Sequence, residues 1–256
     1  MKRLYIILFF MLFMLSGCLT IIDNEDSDEY RALSNQYETY VTNDITQVDQ
    51  FESFVNETTF TSMMSNVMIK IQIFSDLHNL VETRYGSGVI FAVGAYNYVL
   101  TTFELTDIPS NLLVTYQVAD YQGRTTSAYI DKFSEDYGLA VLKFRRILSN
   151  HLPAIEFADQ NSLLGEPVLL FGYIEEIMNS MSMGLVEETN SESNILDEYV
   201  YTTIESDIYA NGSAVIDINN QLIGIQAGVS EGLSYAISIT NIMEFLELYT
   251  DYQELD

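Results

Sequence analysis

A short loop of small and polar residues, Tyr209-Ala210-Asn211-Gly212-Ser213, is the part of this sequence best suited to chemistry. The hydroxyl of Ser213 becomes a nucleophile only when an imidazole takes its proton and a carboxylate orients that imidazole. The chain contains 2 histidines, His78 and His151. His78 lies in a polar stretch after a predicted strand, and His151 lies in a predicted link between two halves of the chain. The loop therefore has a candidate hydroxyl without an evident base.

The residues after this loop predict a β-hairpin. Val215 to Ile218 and Gln221 to Gln226 are rich in β-forming residues, and Asn219-Asn220 between them tolerates the positive φ of a tight turn. Strict alternation predicts another strand at Val67 to Phe74, and a further strand is predicted at Tyr98 to Leu105. A spacing of three or four between apolar residues predicts helices in 30–60 and at the end of the chain, Asn241 to Leu248. The pattern as a whole favours a β-rich fold with helices near both ends.

The composition limits the classes of partner. The 256 residues are 48% hydrophobic, enough for a full core, and carry 10 basic against 37 acidic residues for a formal net charge of -27. This balance argues against a nucleic-acid partner, because phosphate binding depends on clustered Lys and Arg. A cationic partner, or simple solubility at a surface, agrees better with the charge. No cofactor and no metal site is predicted.

The N-terminus predicts export and anchoring. Lys2-Arg3 precede an apolar run from Leu4 to Leu15 that is short for a membrane span, and small residues follow. The ending Leu15-Ser16-Gly17-Cys18 resembles the bacterial lipobox, in which the cysteine is lipidated. We therefore expect a signal peptide in 1–17, an acidic tether in 18–29, and attachment through Cys18 to the outer face of the cell membrane.

The loop and hairpin resemble the nucleophile segment of trypsin-like serine peptidases of the HtrA/Deg type. That family has roughly G-N-S-G-G-P before a hairpin that ends in I-G-I, and the hairpin aligns without a gap on Leu222-Ile223-Gly224-Ile225. The alignment puts the family's nucleophilic serine at Asn211. It puts the glycine whose N–H helps to stabilise the oxyanion at Tyr209.

Further motifs of the family follow in the family's order. Gly86-Ser87-Gly88-Val89-Ile90 and Tyr98-Val99-Leu100-Thr101 resemble the strands before the catalytic histidine, whose position holds Glu104. Residues 137–143 resemble the segment D-L-A-V-L-K, and Gly138 holds its catalytic aspartate position. Residues 164–173, 182–186 and 232–238 resemble later strands of the same family.

The resemblance implies an all-β, trypsin-like fold of two six-stranded antiparallel β-barrels. The predicted boundaries are a helical segment at 30–62, a first barrel at 63–150, and a second barrel with a terminal helix at 151–250. At the three triad positions, Glu104, Gly138 and Asn211 supply no hydroxyl and no imidazole. A carboxylate is also about two pH units too acidic to act as a base at neutral pH.

The resulting prediction is an inactive, peptidase-like surface lipoprotein that binds an extended peptide or a protein. The family pairs substrate backbone with the strand at Ile223, Gly224, Ile225 and Gln226, and such pairing does not need a nucleophile. We also expect Glu104 and Asn211 to lie within hydrogen-bond reach of one another.

Three alternatives stay open at this point. In an active endopeptidase, a shift of the loop would make Ser213 the nucleophile, although the shift supplies no base. A structural or adhesion module would use the acidic surface instead. A carboxylate pair of Glu104 with Asp136 or Asp207, for other hydrolysis or for a metal, has no supporting motif.

Overall fold

The chain folds into two β-barrels packed side by side. In the computed structural model, the described residues are 62–145, 152–190, 199–230 and 232–248. They form two closed, six-stranded antiparallel barrels, which confirms the predicted fold class. The predicted signal peptide, Cys18, the acidic tether and nearly all of the predicted helical segment lie outside the described residues. Residues 62–65, at the end of that segment, are helical.

The first barrel has the strand order β1-β2-β3-β6-β5-β4. Alternation along β1 directs Val67, Ile69, Ile71 and Ile73 into the barrel, where each is at most 3% exposed. The strands are β1 (Asn66–Phe74), β2 (Leu80–Val93), β3 (Tyr96–Thr102), β4 (Leu113–Ala119), β5 (Thr125–Ser134) and β6 (Leu139–Arg145).

The second barrel closes through the pairing of β11 with β12. The short strand β7 lies outside the barrel and runs parallel to the beginning of β12. The predicted turn is present, with φ of 63° at Asn220 and with the backbone N–H groups of Asn219 and Gln221 bound to the Asp217 carboxylate. The strands are β7 (Glu156–Phe157), β8 (Pro167–Ile174), β9 (Ile177–Asn190), β10 (Tyr199–Thr202), β11 (Ala214–Ile216), β12 (Gln221–Ser230) and β13 (Leu233–Ser238).

Two helices follow strands at positions that matter for the cleft. The strand predicted through Leu105 ends at Thr102 instead, and the four residues of α1 (Phe103–Thr106) are helical. The pairing of β3 with β6 ends here, because β6 begins at Leu139 and the last bond of the pair runs from the N–H of Phe103 to the carbonyl of Gly138 at 2.7 Å. The N–H of Asp107 then donates to the carbonyl of Phe103 at 2.9 Å and closes the helical turn. The predicted C-terminal helix is confirmed as α2 (Ile239–Glu247), capped by the Ser238 hydroxyl.

None of the helices that the structure describes has both the length and the apolar character needed to cross a membrane.

A shared apolar cluster holds the two barrels together. Leu100 and Val141 of the first barrel pack in one cluster with Phe171 and Ile237 of the second and with Phe245 of α2, and none of them is more than 2% exposed. Such dense packing resists displacement of one barrel relative to the other. The cleft between the barrels therefore has walls of defined geometry.

Candidate active site

A cleft of about 450 Å³ lies between the barrels. Its walls come from residues 82–85 of β2, from Glu104 and Leu105 of α1, and from residues 208–211 of the second barrel. The structure thus brings Glu104 and Asn211, which are 107 residues apart in sequence (211 − 104), to the same cleft. This is the meeting of side chains that the alignment of the two motifs predicted.

Gly138 lies directly beside the helix that carries Glu104. Its carbonyl accepts the Phe103 N–H, and its φ is +66° in the turn between β5 and β6. A Cβ atom at this position would lie 3.3 Å from Cδ1 of Ile237. The position expected to hold an orienting carboxylate thus adjoins Glu104, but it has no side chain to contribute.

Asn211 is held through its backbone rather than its side chain. Its carbonyl accepts the N–H of Ser87 at 2.9 Å, which joins the loop to β2 of the first barrel. Its amide oxygen Oδ1 is buried and has no hydrogen-bond partner among the residues described. Glu104 and Asn211 were predicted within hydrogen-bond reach of one another; both line the cleft, but no hydrogen bond joins their side chains among the described residues.

The loop before Asn211 is closed by Asp207. The 3-10 helix Ile208–Ala210 begins at Asp207, whose Oδ1 accepts the N–H groups of Tyr209 at 2.9 Å and Ala210 at 3.1 Å. The N–H of Asn211 turns inward to the carbonyl of Ile208 at 3.4 Å. The backbone donors expected at the oxyanion position, those of Tyr209 and Asn211, are therefore already engaged.

This role of Asp207 was not predicted from the sequence. An aspartate directly before a short helical turn is a common N-cap, and that signal was available in Asp207-Ile208-Tyr209-Ala210. The second carboxylate oxygen accepts the N–H of Glu175 at 3.0 Å. Because both oxygens bind backbone N–H groups, a catalytic carboxylate pair of Asp207 with Glu104 has no structural support.

Tyr209 contributes a second interaction to the same loop. Its hydroxyl donates to Oε1 of Glu176 at 3.1 Å, and this hydrogen bond raises the pKa of Tyr209. The ring of Tyr209 meets that of Tyr173 edge-on with centroids 5.8 Å apart. These contacts fix a side chain at the cleft where the family has a glycine.

The Ser213 side chain is buried and does not line the cleft. The alternative in which Ser213 is the nucleophile therefore lacks an accessible hydroxyl. The exposure of Ser213 is 0%, and a Cβ atom added to Gly172 would lie 1.8 Å from its Oγ. That oxygen has no hydrogen-bond partner among the described residues. The hydroxyl is enclosed between β8 and the loop, where neither a substrate nor an imidazole can approach it.

The histidine that the structure describes is not near the loop. His78 is exposed in the turn between β1 and β2, with φ of 61°, and it does not line the cleft. His151 lies outside the described residues. The described parts of the chain contain no group of three His, Cys, Asp or Glu side chains arranged to hold a metal ion.

The charges of the cleft are distributed unequally. Arg84 is held by Glu82, with Nε 2.8 Å from Oε1, and also donates to the carbonyl of Asp107 at 3.2 Å. The hydrogen bond with Glu82 raises the pKa of Arg84, and the charges of Asp107 and Glu104 act in the same direction. Glu104 is exposed and forms no ion pair within the described ranges.

The strand predicted to pair with a peptide is occupied on both sides. Gly224 and Ile225 pair with β11 on one edge and with β13 on the other. Gln226 pairs with β13, while its backbone binds Gly212 and Ser213. Gly224, Ile225 and Gln226 therefore have no free backbone edge, which contradicts the prediction that a peptide pairs with these three residues.

An available edge lies farther along the same strand. Residues Gly228–Ser230 pair only with β13, and no other described strand covers their second side. The carbonyl of Gly228 accepts the Gln226 side-chain amide at 2.8 Å, and Val229 is 51% exposed. We call residues Gly228–Ser230 the open edge of β12.

Comparison with known proteins agrees with this architecture. Residues 86–225 match the family described as trypsin-like peptidase domain. The chain is also similar to a Haemophilus influenzae protein named "Probable periplasmic serine protease do/HhoA-like", with 26% identity over 59% of this chain and 34% of that protein. The aligned part thus spans about a third of the relative's length. Because the family match covers more than half of the sequence and the two barrels agree with it, the chain belongs to the trypsin-like peptidase domain family.

Proposed function

We propose that this protein is a catalytically inactive member of the family that binds an extended peptide or an extended segment of a protein. In this proposal it is a bacterial lipoprotein, attached through Cys18 to the outer face of the cell membrane. Glu104, Gly138 and Asn211 hold the positions of the family's catalytic triad. The binding surface is the cleft together with the open edge of β12.

The closure of the loop by Asp207 is the observation that carries the proposal. Acyl transfer develops negative charge on the substrate oxygen, and free N–H groups aimed at that oxygen are a large part of the catalysis. Here the N–H of Tyr209 binds the carboxylate of Asp207 at 2.9 Å. An anionic group at this donor opposes a second anion, so the loop is suited to structure rather than to catalysis.

The side chains of the cleft support the same conclusion. Asn211 carries an amide, which is not a usable nucleophile, and the Ser213 hydroxyl is 0% exposed. Glu104 is a carboxylate at the position of the base. In this proposal, the described residues of the cleft supply no nucleophile, no base and no free donor for peptide hydrolysis.

Peptide binding remains compatible with these losses. An exposed backbone edge binds an extended peptide by main-chain hydrogen bonds, and its affinity does not depend on a catalytic group. The open edge of β12 follows directly after Gln226, whose backbone N–H is bound to Ser213 at 2.9 Å. A peptide added there would run beside the loop that contains Asn211.

The proposed location rests on two observations. The sequence of residues 1–18 has the features of a lipoprotein signal peptide with Cys18 as the acceptor. The relative from Haemophilus influenzae is named as periplasmic. Metabolic labelling with a fatty-acid analogue tests the anchor, with Cys18→Ser as the variant that is expected to lose the label.

The catalytic part of the proposal is tested with a serine-directed phosphonate probe on the purified mature protein. No covalent adduct is expected at any serine, whereas an active trypsin-like peptidase labels under the same conditions. An adduct at Ser213 would overturn the proposal of inactivity.

The binding part is tested by fluorescence anisotropy with extended peptides. The matched control is the same peptide with N-methyl groups on alternate backbone nitrogens, which keeps the side chains and removes donors. Binding of the first and not of the second is expected. Failure of all extended peptides to bind would favour a scaffold role instead.

A further inference from the structure

Three tyrosines form a cluster on the outer face of the second barrel. Tyr199 and Tyr201 alternate along β10 with Val200, which is 1% exposed and packs inside the barrel. Tyr201 pairs directly with Tyr235 of β13. The ring of Tyr235 lies 5.3 Å from that of Tyr199 and 6.1 Å from that of Tyr201, measured between centroids. We call these residues the tyrosine cluster.

The turn that binds the start of the Glu104 helix packs against the strand that carries Tyr235. The N–H of Phe103 binds Gly138, and a Cβ atom at Gly138 would lie 3.3 Å from Cδ1 of Ile237. Ile237 is two residues from Tyr235 along β13 and therefore lies on the same face of the strand. Burial raises the pKa of Tyr235, and the charge of Glu104 raises it further, as expected for a carboxylate near the ring.

The same ring lies against the open edge of β12. Gly228 pairs with Tyr235, and a Cβ atom at Gly228 would lie 2.7 to 2.9 Å from Oη, Cε1 and Cζ of that tyrosine. Glycine is therefore needed for the ring to lie against the backbone here. A peptide on the open edge would place its side chains between Tyr235 and the cleft.

We propose that Glu104 and the tyrosine cluster bind one basic side chain, a lysine or an arginine, of a peptide paired with the open edge of β12. This inference rests on the proposed peptide binding and specifies the chemistry of the peptide. It adds a binding subsite with a defined charge preference, formed by residues of both barrels.

Charge complementarity identifies the occupant. A cation is attracted to the face of a tyrosine ring, and a carboxylate beside the ring strengthens this preference. Arg84, the basic side chain that lines the cleft, is already held by Glu82 at 2.8 Å. Glu104 forms no ion pair in the part of the chain that the structure describes. An acidic peptide would meet this carboxylate and a formal net charge of -27.

The experiment measures dissociation constants for short extended peptides of alternating Val and Thr. Each peptide carries one Lys, placed at each position in turn, and its partner peptide carries norleucine there. Norleucine has an unbranched apolar side chain without the ammonium group. At one position, the Lys peptide is expected to bind about fivefold tighter, in line with a cation–π contact of about 1 kcal/mol.

Variants of the protein locate the effect. Glu104→Gln and Tyr235→Leu are expected to remove the preference for Lys, whereas Tyr235→Phe keeps the ring and retains it. Glu156→Gln is the matched control, because Glu156 is an exposed carboxylate beside the opposite end of β12. Glu104 is exposed, so its variant tests the subsite without disturbing the core.

The outcomes separate this inference from the proposed function. Equal binding of Lys and norleucine peptides at every position would overturn the inference and leave peptide binding in place. A preference for Lys that survives Glu104→Gln would overturn the subsite assigned here. Failure of every peptide to bind would overturn the proposed function together with the inference.

Discussion

Oδ1 of Asp207 accepts the backbone N–H of Tyr209 at 2.9 Å. The donor, Tyr209, aligns with the glycine whose N–H helps to stabilise the oxyanion in trypsin-like peptidases. The acceptor, Asp207, precedes the same short helix. One carboxylate thus stabilises the loop and removes a donor that catalysis would need. The same hydrogen bond therefore stabilises the loop and supports the proposal that the protein is inactive.

The first prediction concerns this cap. Asp207→Ala is expected to lower the free energy of unfolding by about 1 to 2 kcal/mol, because the N–H groups of Tyr209 and Ala210 lose their acceptor. Urea denaturation measures the change. Asp207→Asn keeps one carbonyl acceptor and is expected to have a smaller effect. Equal stability of wild type and Asp207→Ala would contradict the structural role.

The second prediction concerns restoration of a nucleophile. Asn211→Ser is expected to remain unlabelled by a phosphonate probe, because Glu104 is too acidic to accept the serine proton at neutral pH. The backbone N–H of residue 211 would also still donate to the carbonyl of Ile208. Mass spectrometry of the probed variant provides the measurement, and a phosphonate adduct at position 211 would show that a base is present after all.

The third prediction concerns the packing around Ser213. Gly172→Ala is expected to destabilise the protein by about 1 to 3 kcal/mol through overpacking, since the new Cβ would lie 1.8 Å from Ser213 Oγ. Adding Ser213→Ala removes that oxygen and is expected to restore part of the loss. Thermal unfolding of the two single variants and the double variant measures the coupling. Additive effects of the two substitutions would argue against direct contact.

The fourth prediction concerns alkaline pH. Burial raises the pKa of Tyr116 above its ordinary value. Above about pH 10 the unfolded chain loses this proton while the folded chain keeps it, so the unfolded state binds fewer protons and stability falls as pH rises. Tyr116→Phe is expected to make this fall shallower, measured as the free energy of unfolding between pH 9 and 11. A variant with an unchanged pH dependence would exclude Tyr116 as a contributor.

Local patterns predicted much of the fold correctly. The alternation of Val67, Ile69, Ile71 and Ile73 identified β1, because a strand with one buried face must place every second residue in the core. The Asn-Asn pair identified the turn before β12, because Asn220 tolerates a φ of 63°. These features depend on residues that are close together in the chain.

Long-range contacts account for the errors. The stretch around Phe103 and Glu104 was predicted as strand, and it is helical because the neighbouring strand β6 begins only at Leu139, so the pairing ends at the bond from Phe103 to Gly138. Ile223 to Gln226 were predicted as an available edge, but Gly224 and Ile225 are covered by β11 and β13, and Gln226 by β13 and the loop. Neither the partner of a backbone group nor the strand beside an edge can be read from the residues in question.

The sequence by itself determined the chemical identities in the cleft: an amide at Asn211, a carboxylate at Glu104, and no side chain at Gly138. Its motifs, through their resemblance to trypsin-like peptidases, also predicted the two barrels. Only the tertiary structure decided that Ser213 is enclosed, that Asp207 binds the backbone N–H of Tyr209, and that the charge of Glu104 acts on Tyr235. The physical reason is that residue type is local, whereas burial, hydrogen-bond partners and the field of a charge depend on segments that folding brings together.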